Sequence, residues 1–423
     1  MKQPELIARQ RYLDRALLFR DTDLIKVITG VRRCGKSSLL AMVRDTIESE
    51  GDEKRSFVSL NLESGSCQIS TQRELYNYFR DRLSPEGKTY IFLDEPQRIE
   101  GWQIAVNAMR VDFDCDIYLT GSNAFLLSSE LSTYLSGRYV EVKMLPLAMR
   151  EYLDFCGISF GNSSAALAPN GKIMLFDDLL ERYLKFGGMP AIASLSTTQE
   201  VHSTYMSSLY DAVVTRDILN RERLQGLSKV TDALLLSRIV DFLSDNVGNQ
   251  LSMKSIADTL TSAGTKTTNK TVDSYVTALN DAYLFYRASR FDLHGKEILR
   301  TNPKQYIVDL GLRAYLGGYR TSDMGRLFEN AVYLQLLFQG WRVHVGKLYS
   351  SEVDFIAIKD GRVVYIQVTD EMISEGTRQR ELKPLKTLRD AHEKIVVVRQ
   401  GRYEADIDGI RIVTAKDFFL ENW

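Results

Sequence analysis

Residues 30–37 constrain the fold of this chain more than any other segment. Gly30, Gly35, Lys36 and Ser37 have the spacing G-x-x-x-x-G-K-[ST], and an apolar run directly precedes them. A strand, a glycine-rich turn and a helix in that order form a loop whose backbone amides hold phosphate groups. We therefore predict an α/β nucleotide-binding domain here. A glycine turn without a ligand is the alternative.

Each residue of this loop has a predicted task. Gly30 and Gly35 allow the turn and the close approach of the backbone to phosphate. Lys36 is predicted to reach the β- and γ-phosphates, and Ser37 to bind Mg2+ through its hydroxyl. The other loop residues expected to lie against the nucleotide are Arg33, Cys34 and Ser38.

Two adjacent acids, Asp94 and Glu95, end the apolar strand predicted over residues 89–95. Such strands alternate with helical segments, which indicates a parallel sheet with its polar residues at the C-terminal edge. Asp94 is predicted to hold Mg2+ through water, and Glu95 to orient and deprotonate the attacking water. A helix N-cap acid with a solvated neighbour is the alternative interpretation.

The order of several further segments resembles bacterial and archaeal AAA+-type ATPases that carry a C-terminal domain of unknown function. The segments that carry this resemblance are residues 27–33, 90–97, 119–123, 135–139, 145–147 and 151–153. The resemblance covers nearly the whole chain. It implies that the nucleotide is ATP, that Mg2+ is its metal, and that the fold is an AAA+-like P-loop NTPase core.

The resemblance also implies roles for polar residues outside the loop. Ser122 or Asn123, together with Thr120, is similar to the sensor that touches the γ-phosphate or the attacking water. A turn is an equally good interpretation of the same residues. Asn61 resembles the polar switch residue that holds the catalytic Glu95 away until a ligand arrives.

Arg138 occupies the place of an arginine finger, which reaches the γ-phosphate of a neighbouring subunit. A guanidinium suits the spread charge of the transferred phosphoryl group. Local pairing with Glu141 or another acid is the alternative. If the finger is real, the chain self-associates and two subunits share each ATP site.

The length of 423 residues predicts two to four domains. We expect an ATPase core over residues 1–155, a helical lid over 156–235, a winged helix-turn-helix over 236–320 and an α/β restriction-endonuclease-like domain over 321–423. In the winged helix, Lys266 and Lys270 with Thr267 and Thr268 could contact phosphates, although Asp273 and Asp281 dilute the charge. DNA and a partner protein are both candidate ligands.

The last hundred residues resemble PD-(D/E)xK nucleases in their order of helix, three strands and helix. Glu329, Asp354 and Gln367 stand where those enzymes hold Mg2+. Gln367 is neutral, and Thr369 occupies the position of the lysine that positions water. We therefore expect a degenerate nuclease fold used for binding or assembly.

Composition narrows the remaining classes. Lys and Arg number 54 against 55 Asp and Glu, so no global basic excess indicates nucleic acid. No apolar run approaches the length of about 18 residues that spans a bilayer, and four scattered cysteines indicate a reducing, cytoplasmic location.

The predicted function is Mg2+-dependent ATP hydrolysis coupled to movement of the C-terminal modules. The alternatives are a slow-turnover nucleotide switch that binds a partner protein, and an ATP-dependent DNA nuclease.

Overall fold

The computed structural model describes residues 6–65, 67–84, 87–124, 135, 137–161, 163–194, 198–219, 230–295, 297–349 and 351–423. Its internal contacts divide the chain into two compact units. The first comprises Met1–Leu145 with Asp281–Tyr283, and the second comprises Pro146–Asn280 with Leu284–Trp423.

A parallel sheet forms the centre of the first unit, as predicted, and it has five strands. Its strands are β1 (Ile25–Gly30), β2 (Ser56–Asn61), β3 (Thr89–Asp94), β4 (Cys115–Gly121) and β5 (Tyr139–Met144). They lie in the order β2-β3-β4-β1-β5. All the strand pairs are parallel, so the loops that follow β1, β3 and β4 share one edge of the sheet.

Among the described residues, four α-helices accompany this sheet: α1 (Gln10–Leu17), α2 (Lys36–Glu48), α3 (Gln72–Arg80) and α4 (Trp102–Asp112). Every residue of β1 and β3 is buried, as expected of central strands covered on both faces. Helix α2 buries Leu39, Leu40, Val43 and Ile47 along one side. Each such side chain contributes about 1.5–3 kcal/mol of hydrophobic stabilisation, which anchors the helix that begins at Lys36.

One buried ion pair lies within this sheet. Lys26 of β1 and Asp116 of β4 have fully buried side chains, and the Lys26 ammonium donates to the Asp116 carboxylate. The same carboxylate accepts from the Asp21 amide (2.9 Å) and the Tyr118 hydroxyl (3.3 Å). These partners compensate the desolvation of the two charges.

Most of the helices in the described ranges lie in the second unit. They are α5 (Met149–Phe155), α6 (Phe176–Phe186), α7 (Pro190–Ser194), α8 (Gln199–Ala212), α9 (Ala233–Asp245), α10 (Met253–Ser262), α11 (Asn269–Asp281), α12 (Leu310–Gly317), α13 (Met324–Phe338), α14 (Glu375–Thr387) and α15 (Ala415–Phe419). A π-helical segment, Val213–Leu219, continues α8. In the part of the chain that the structure describes, no helix is both long and apolar enough to cross a membrane.

The second unit has two sheets. A short hairpin consists of β6 (Ala165–Leu167) and β7 (Ile173–Leu175). The larger sheet contains β8 (Phe285–Asp292), β9 (Glu297–Ile307), β10 (Arg342–Lys347), β11 (Glu352–Lys359), β12 (Arg362–Thr369), β13 (Glu393–Val398), β14 (Asp406–Ile407) and β15 (Ile410–Thr414). Its order is β14-β15-β13-β12-β11-β10-β8-β9. In residues 324–387 the order of elements is helix, three strands and helix, as the sequence predicts.

The main segment of the first unit ends at Leu145, and the domain boundary at residue 155 stays a prediction. The chain beyond Leu145 packs on α6 and the turn that follows. Leu147 donates its amide to the Gly188 carbonyl (2.7 Å) and accepts from the Tyr183 hydroxyl (2.8 Å). The predicted lid and nuclease-like regions lie in the second unit, as does the predicted winged-helix region apart from Asp281–Tyr283.

Asp309 fixes the turn that follows α6. Its carboxylate accepts from the amides of Gly188 (2.7 Å) and Leu312 (3.0 Å), so it also caps the N-terminus of α12. The side chain is 1% exposed. A Cβ on Gly187 would lie 2.2 Å from the carboxylate, so this close approach requires glycine.

Candidate nucleotide-binding site

The loop that follows β1 has the backbone geometry of a phosphate-binding turn. Gly30 has φ 145° and Gly35 has φ 105°, both in the region that glycine favours. A Cβ on Gly30 would lie 2.3 Å from the Met144 carbonyl oxygen at the end of β5, so only glycine allows this approach. The sequence prediction of this loop is consistent with both values.

Arg9 supports the loop from beneath, which the sequence alone did not reveal. Its guanidinium donates to the carbonyl oxygens of Cys34 and Leu145, each at 2.9 Å. The side chain is buried, and the guanidinium lies 4.6 Å from the centre of the Tyr12 ring. Cys34 is fully buried, so it contributes packing and a carbonyl rather than a side chain at the surface of the loop.

Helix α2 begins directly after the loop, and its first three residues are the predicted phosphate and metal contacts Lys36, Ser37 and Ser38. Lys36 is 5% exposed, and its ammonium donates to the carbonyls of Gly30 (3.1 Å) and Val31 (3.2 Å). Ser37 and Ser38 are exposed in the first turn of the helix. Backbone amides and the positive end of the helix dipole coincide at this point.

Asp94 lies at the carboxyl end of β3, buried and held by two donors. Asn61 of β2 donates its amide to Asp94 Oδ2 (3.1 Å), and the Thr120 hydroxyl donates to Oδ1. The expected contact of Asn61 with Glu95 is not observed. Asn61 and Asp94 are register partners in the paired strands, which puts the Asn61 amide beside Asp94 instead.

Glu95 adopts a left-handed backbone conformation with φ 58°. Its amide donates to the Thr120 hydroxyl (3.1 Å), while its carboxylate accepts from the Gln97 amide and the Ser122 hydroxyl (3.4 Å). Burial raises the pKa of Glu95 above its ordinary value, with the charge on Asp94 adding to it and that on Lys36 opposing it.

The C-terminal edge of the sheet therefore brings most of the predicted residues together. Ser122 (2% exposed) and Asn123 (5% exposed) are buried at the end of β4, beside the acids that end β3. Arg33 is exposed, with φ 65°. The neighbouring residue, Arg32, pairs with Glu63 (2.6 Å), and Arg98 also contacts Glu63 (2.9 Å).

The donor set suits Mg2+ and a nucleoside triphosphate. Exposed hydroxyls at a helix N-terminus, a buried carboxylate fixed by two donors and a lysine ammonium are the groups that hold phosphates with their metal. Ser37 and Asp94 are the residues that would hold the ion.

Relatives of the whole chain are found in bacteria and archaea. An uncharacterized protein of Haemophilus influenzae is 38% identical over 418 residues, which cover 98% of this chain and 99% of the relative. One of Methanocaldococcus jannaschii is 27% identical over 397 residues, or 93% of this chain and 82% of that protein. Residues 22–153 match the family model of an AAA domain. The chain belongs to the same family as the H. influenzae protein, and its residues 22–153 form an AAA domain.

The rest of the chain has less informative matches. Residues 177–323 match a domain of unknown function, DUF8612. The solved structure of the Aeropyrum pernix Orc1 protein in complex with DNA is similar at 14% identity, covering 74% of this chain and 93% of that chain with a TM-score of 0.29. A TM-score this low does not transfer the DNA of that complex to this chain.

Arg138 does not lie at the phosphate loop of its own AAA domain. It precedes β5, and its carbonyl accepts from the amide of Ile25, the first residue of β1. Strand β1 then rises about 16 Å to Gly30, at about 3.3 Å per residue. The exposed guanidinium donates to Asn107 of α4 (3.2 Å), and the alternative pairing with Glu141 is not observed.

The predicted nuclease-like residues meet in the second unit. The Asp354 amide donates to Gln367 Oε1 (3.4 Å), and the Gln367 amide donates to Glu381 of α14 (3.1 Å). Glu329 accepts from Lys304 (3.0 Å). Burial, followed by the charge on Glu329, raises the pKa of Asp354 well above its ordinary value.

The predicted phosphate contacts of the winged-helix region lie at the surface. Lys266, Thr268 and Lys270 are exposed, and Thr267 is half-buried. The Thr268 hydroxyl caps α11 by accepting from the amide of Thr271 (3.2 Å). Two exposed lysines at the start of a helix are compatible with phosphate contact, and DNA binding stays a prediction.

Proposed function

We propose that this protein hydrolyses ATP with Mg2+ at the edge of the AAA domain sheet. The observation that carries the proposal is the convergence of Lys36, Asp94, Glu95 and Ser122, which come from three neighbouring segments of one sheet edge. A loop that only binds phosphate needs the first of these. Hydrolysis also needs a carboxylate that accepts the proton of water.

Each residue has a distinct task in this proposal. Lys36 and the amides of the loop bind the β- and γ-phosphates, and Ser37 and Asp94 hold the ion, which neutralises charge on the phosphates. Asn61 and Thr120 keep the Asp94 carboxylate in one orientation. Glu95 accepts the proton of the attacking water, and Ser122 positions that water or the phosphate.

A slow-turnover nucleotide switch is the second candidate. The hydrogen bonds of Glu95 to Gln97 and Ser122 favour it, because a carboxylate held by two donors is a weaker base than a free one. In such a switch, a partner protein or DNA bound to the second unit would release Glu95. An ATP-dependent nuclease is not proposed, since Gln367 and Thr369 supply neither the acid nor the lysine.

ATP turnover by the full chain tests both candidates. Glu95→Gln should lower turnover by about 100-fold or more, the contribution of a general base, while a fluorescent ATP analogue still binds. Arg98→Ala is the matched control, because the Arg98 guanidinium contacts Glu63, and the backbone amide that donates to the Glu95 carbonyl is kept in this variant. Unchanged turnover in Glu95→Gln contradicts the proposed base. Wild-type turnover that rises sharply on adding DNA favours the switch.

A further inference from the structure

The ammonium of Lys304 lies between acids of the second unit that come from different elements. Its Nζ is 3.0 Å from Glu329 Oε1, on α13, and 2.6 Å from Glu352 Oε1, on β11. Lys304 itself belongs to β9 and is 5% exposed. The side chains of Glu329 and Glu352 are 16% and 23% exposed. Residues from three separate elements therefore meet at one buried cation.

Each of these carboxylates has a second fixed donor. The Tyr306 hydroxyl donates to Glu329 Oε1 (2.6 Å), and the Gln250 amide donates to Glu352. The strand pairing between Gln250 and Lys304 holds that donor in place. The Tyr306 hydroxyl and the Gln250 amide therefore help to orient the two acids toward the ammonium.

The nuclease resemblance implies Mg2+ at Glu329, Asp354 and Gln367, and these residues do not fit it. Mg2+ requires near-octahedral oxygen ligands at about 2.0–2.1 Å. Gln367 uses both ends of its amide on the Asp354 amide and on Glu381. No group of three or more His, Cys, Asp or Glu side chains within the described ranges is arranged to hold a metal ion.

A pocket of about 430 Å3 opens onto the same place. Glu352, Gln367 and Glu381 line it, together with the exposed ring of Tyr349 and the side chain of His294. Ions in solution therefore have an entry path to Glu352 and Glu381. The open pocket does not explain why these acids are not arranged around a metal ion. The position of Lys304 does, because its ammonium lies between Glu329 and Glu352.

We propose that Lys304 is a built-in cation that takes the place of a divalent metal among the acids of this nuclease-like unit. The ammonium holds α13, β9 and β11 together by charge, as a structural ion would, and keeps metals out by occupying the space and neutralising the acids. The unit is thus a metal-independent module, and removal of Lys304 uncovers a divalent site. This inference concerns the second unit alone and does not depend on ATP hydrolysis.

Manganese binding to the nucleotide-free full chain tests the proposal, measured by the electron paramagnetic resonance of free Mn2+. The background variant Ser37→Ala removes the predicted metal ligand of the phosphate loop. We expect Lys304→Ala to bind one more Mn2+ per chain than this background. The extra site should vanish in Lys304→Ala/Glu329→Gln. Lys304→Arg is the matched control, because it keeps the charge and should bind no extra ion.

Thermal unfolding gives a second readout. Lys304→Ala should melt at lower temperature than wild type in EDTA and regain part of the loss in Mn2+, whereas the wild-type melting temperature should not respond. A Glu329-dependent Mn2+ site in wild type overturns the proposal. So does a folded Lys304→Ala chain that gains no Mn2+, or one that stays unfolded in Mn2+ as in EDTA, since a metal then cannot replace the ammonium.

Discussion

At the scale of single residues, Glu95 is the group on which the proposed chemistry depends. Its left-handed backbone, with φ 58°, turns the carboxylate away from the line of β3 and toward Gln97 and Ser122. A non-glycine residue in this conformation costs about 1 kcal/mol or more and persists where its surroundings fix it. The surroundings here are the Thr120 hydroxyl on its amide and the two donors on its carboxylate.

The pKa of Glu95 predicts the acid limb of the pH profile. Turnover needs the ionised carboxylate, and burial raises its pKa, so turnover should fall as pH drops through a value above the ordinary range of a glutamate. In Gln97→Ala, the loss of a donor to the ionised form should move this limb to still higher pH. The measurement is kcat against pH at saturating ATP. An identical limb in Gln97→Ala and wild type would contradict the assignment, and Arg98→Ala serves as control.

Asp309 predicts a pH dependence of stability in the second unit. Burial raises its pKa to about 6, against the opposing effect of backbone amides that donate to it. An unfolded aspartate titrates near about 4, so between these values the folded state binds the proton more tightly. The free energy of unfolding should therefore fall by about 3 kcal/mol as pH rises from about 4 to about 6.

Asp309→Asn tests this directly, because it removes the titration and should flatten that part of the pH profile. Trp341 and Trp423 report unfolding of the second unit when Trp102 is replaced by Phe. Asp232→Asn is the control, since Asp232 caps α9 at an exposed position. A slope that survives in Asp309→Asn would show that another group titrates.

The sequence predicts residues that belong to a local motif, and it does not predict residues that contact segments distant in the sequence. Lys36, Asp94 and Glu95 follow from local spacing, because a strand that ends in a turn puts them at one edge. Arg9 acts across the fold on Cys34 and Leu145. No local pattern distinguishes such an arginine from a surface arginine before a helix.

At the scale of elements, the sequence predicts the buried strands β1, β3 and β4 because buried parallel strands are short apolar runs, but it does not predict the less buried edge strand β5. Lys26 departs from this rule, since it lies in the middle of β1 and is fully buried. Its partner Asp116 is on β4, which becomes its neighbour only through the strand order. The sequence could not supply that pairing, nor the change of unit at Leu145, because both depend on contacts between distant segments.

The Lys26–Asp116 pair predicts a strong coupling within the sheet. Lys26→Met should cost about 3–5 kcal/mol because it leaves a buried carboxylate uncompensated, whereas Lys26→Met/Asp116→Asn should recover part of that loss. Denaturant unfolding followed by Trp102, with Trp341 and Trp423 replaced by Phe, reports on this unit. The exposed pair Arg80–Asp81 is the control and should change stability by less than about 1 kcal/mol. Additive losses in the double variant would mean that the two charges do not interact.

At the scale of the whole molecule, the position of Arg138 bears on how many chains form one active site. The first residue of β1 binds its carbonyl, whereas the phosphate loop follows the last residue of that strand. A guanidinium at the opposite edge of the sheet cannot serve the ATP site of its own chain. It remains available to a second copy, and exposed apolar side chains of α4, Ile104 (41%) and Val111 (65%), lie on the helix whose Asn107 it contacts.

A mixing experiment decides whether ATP sites are shared. Arg138→Ala lacks the finger, so alone it should turn over ATP at least about 1000-fold more slowly than wild type, the contribution of a finger in other P-loop enzymes. Lys36→Ala lacks the phosphate-binding lysine and should also be nearly inactive alone. In an equimolar mixture, an intact loop from the first variant can face an intact Arg138 from the second. Turnover should then return to a substantial fraction of the wild-type rate and rise with protein concentration. Arg80→Ala mixed with Lys36→Ala is the control for simple dilution. If the first mixture stays as inactive as its parts, or if Arg138→Ala alone is fully active, each chain hydrolyses ATP without an arginine from its neighbour.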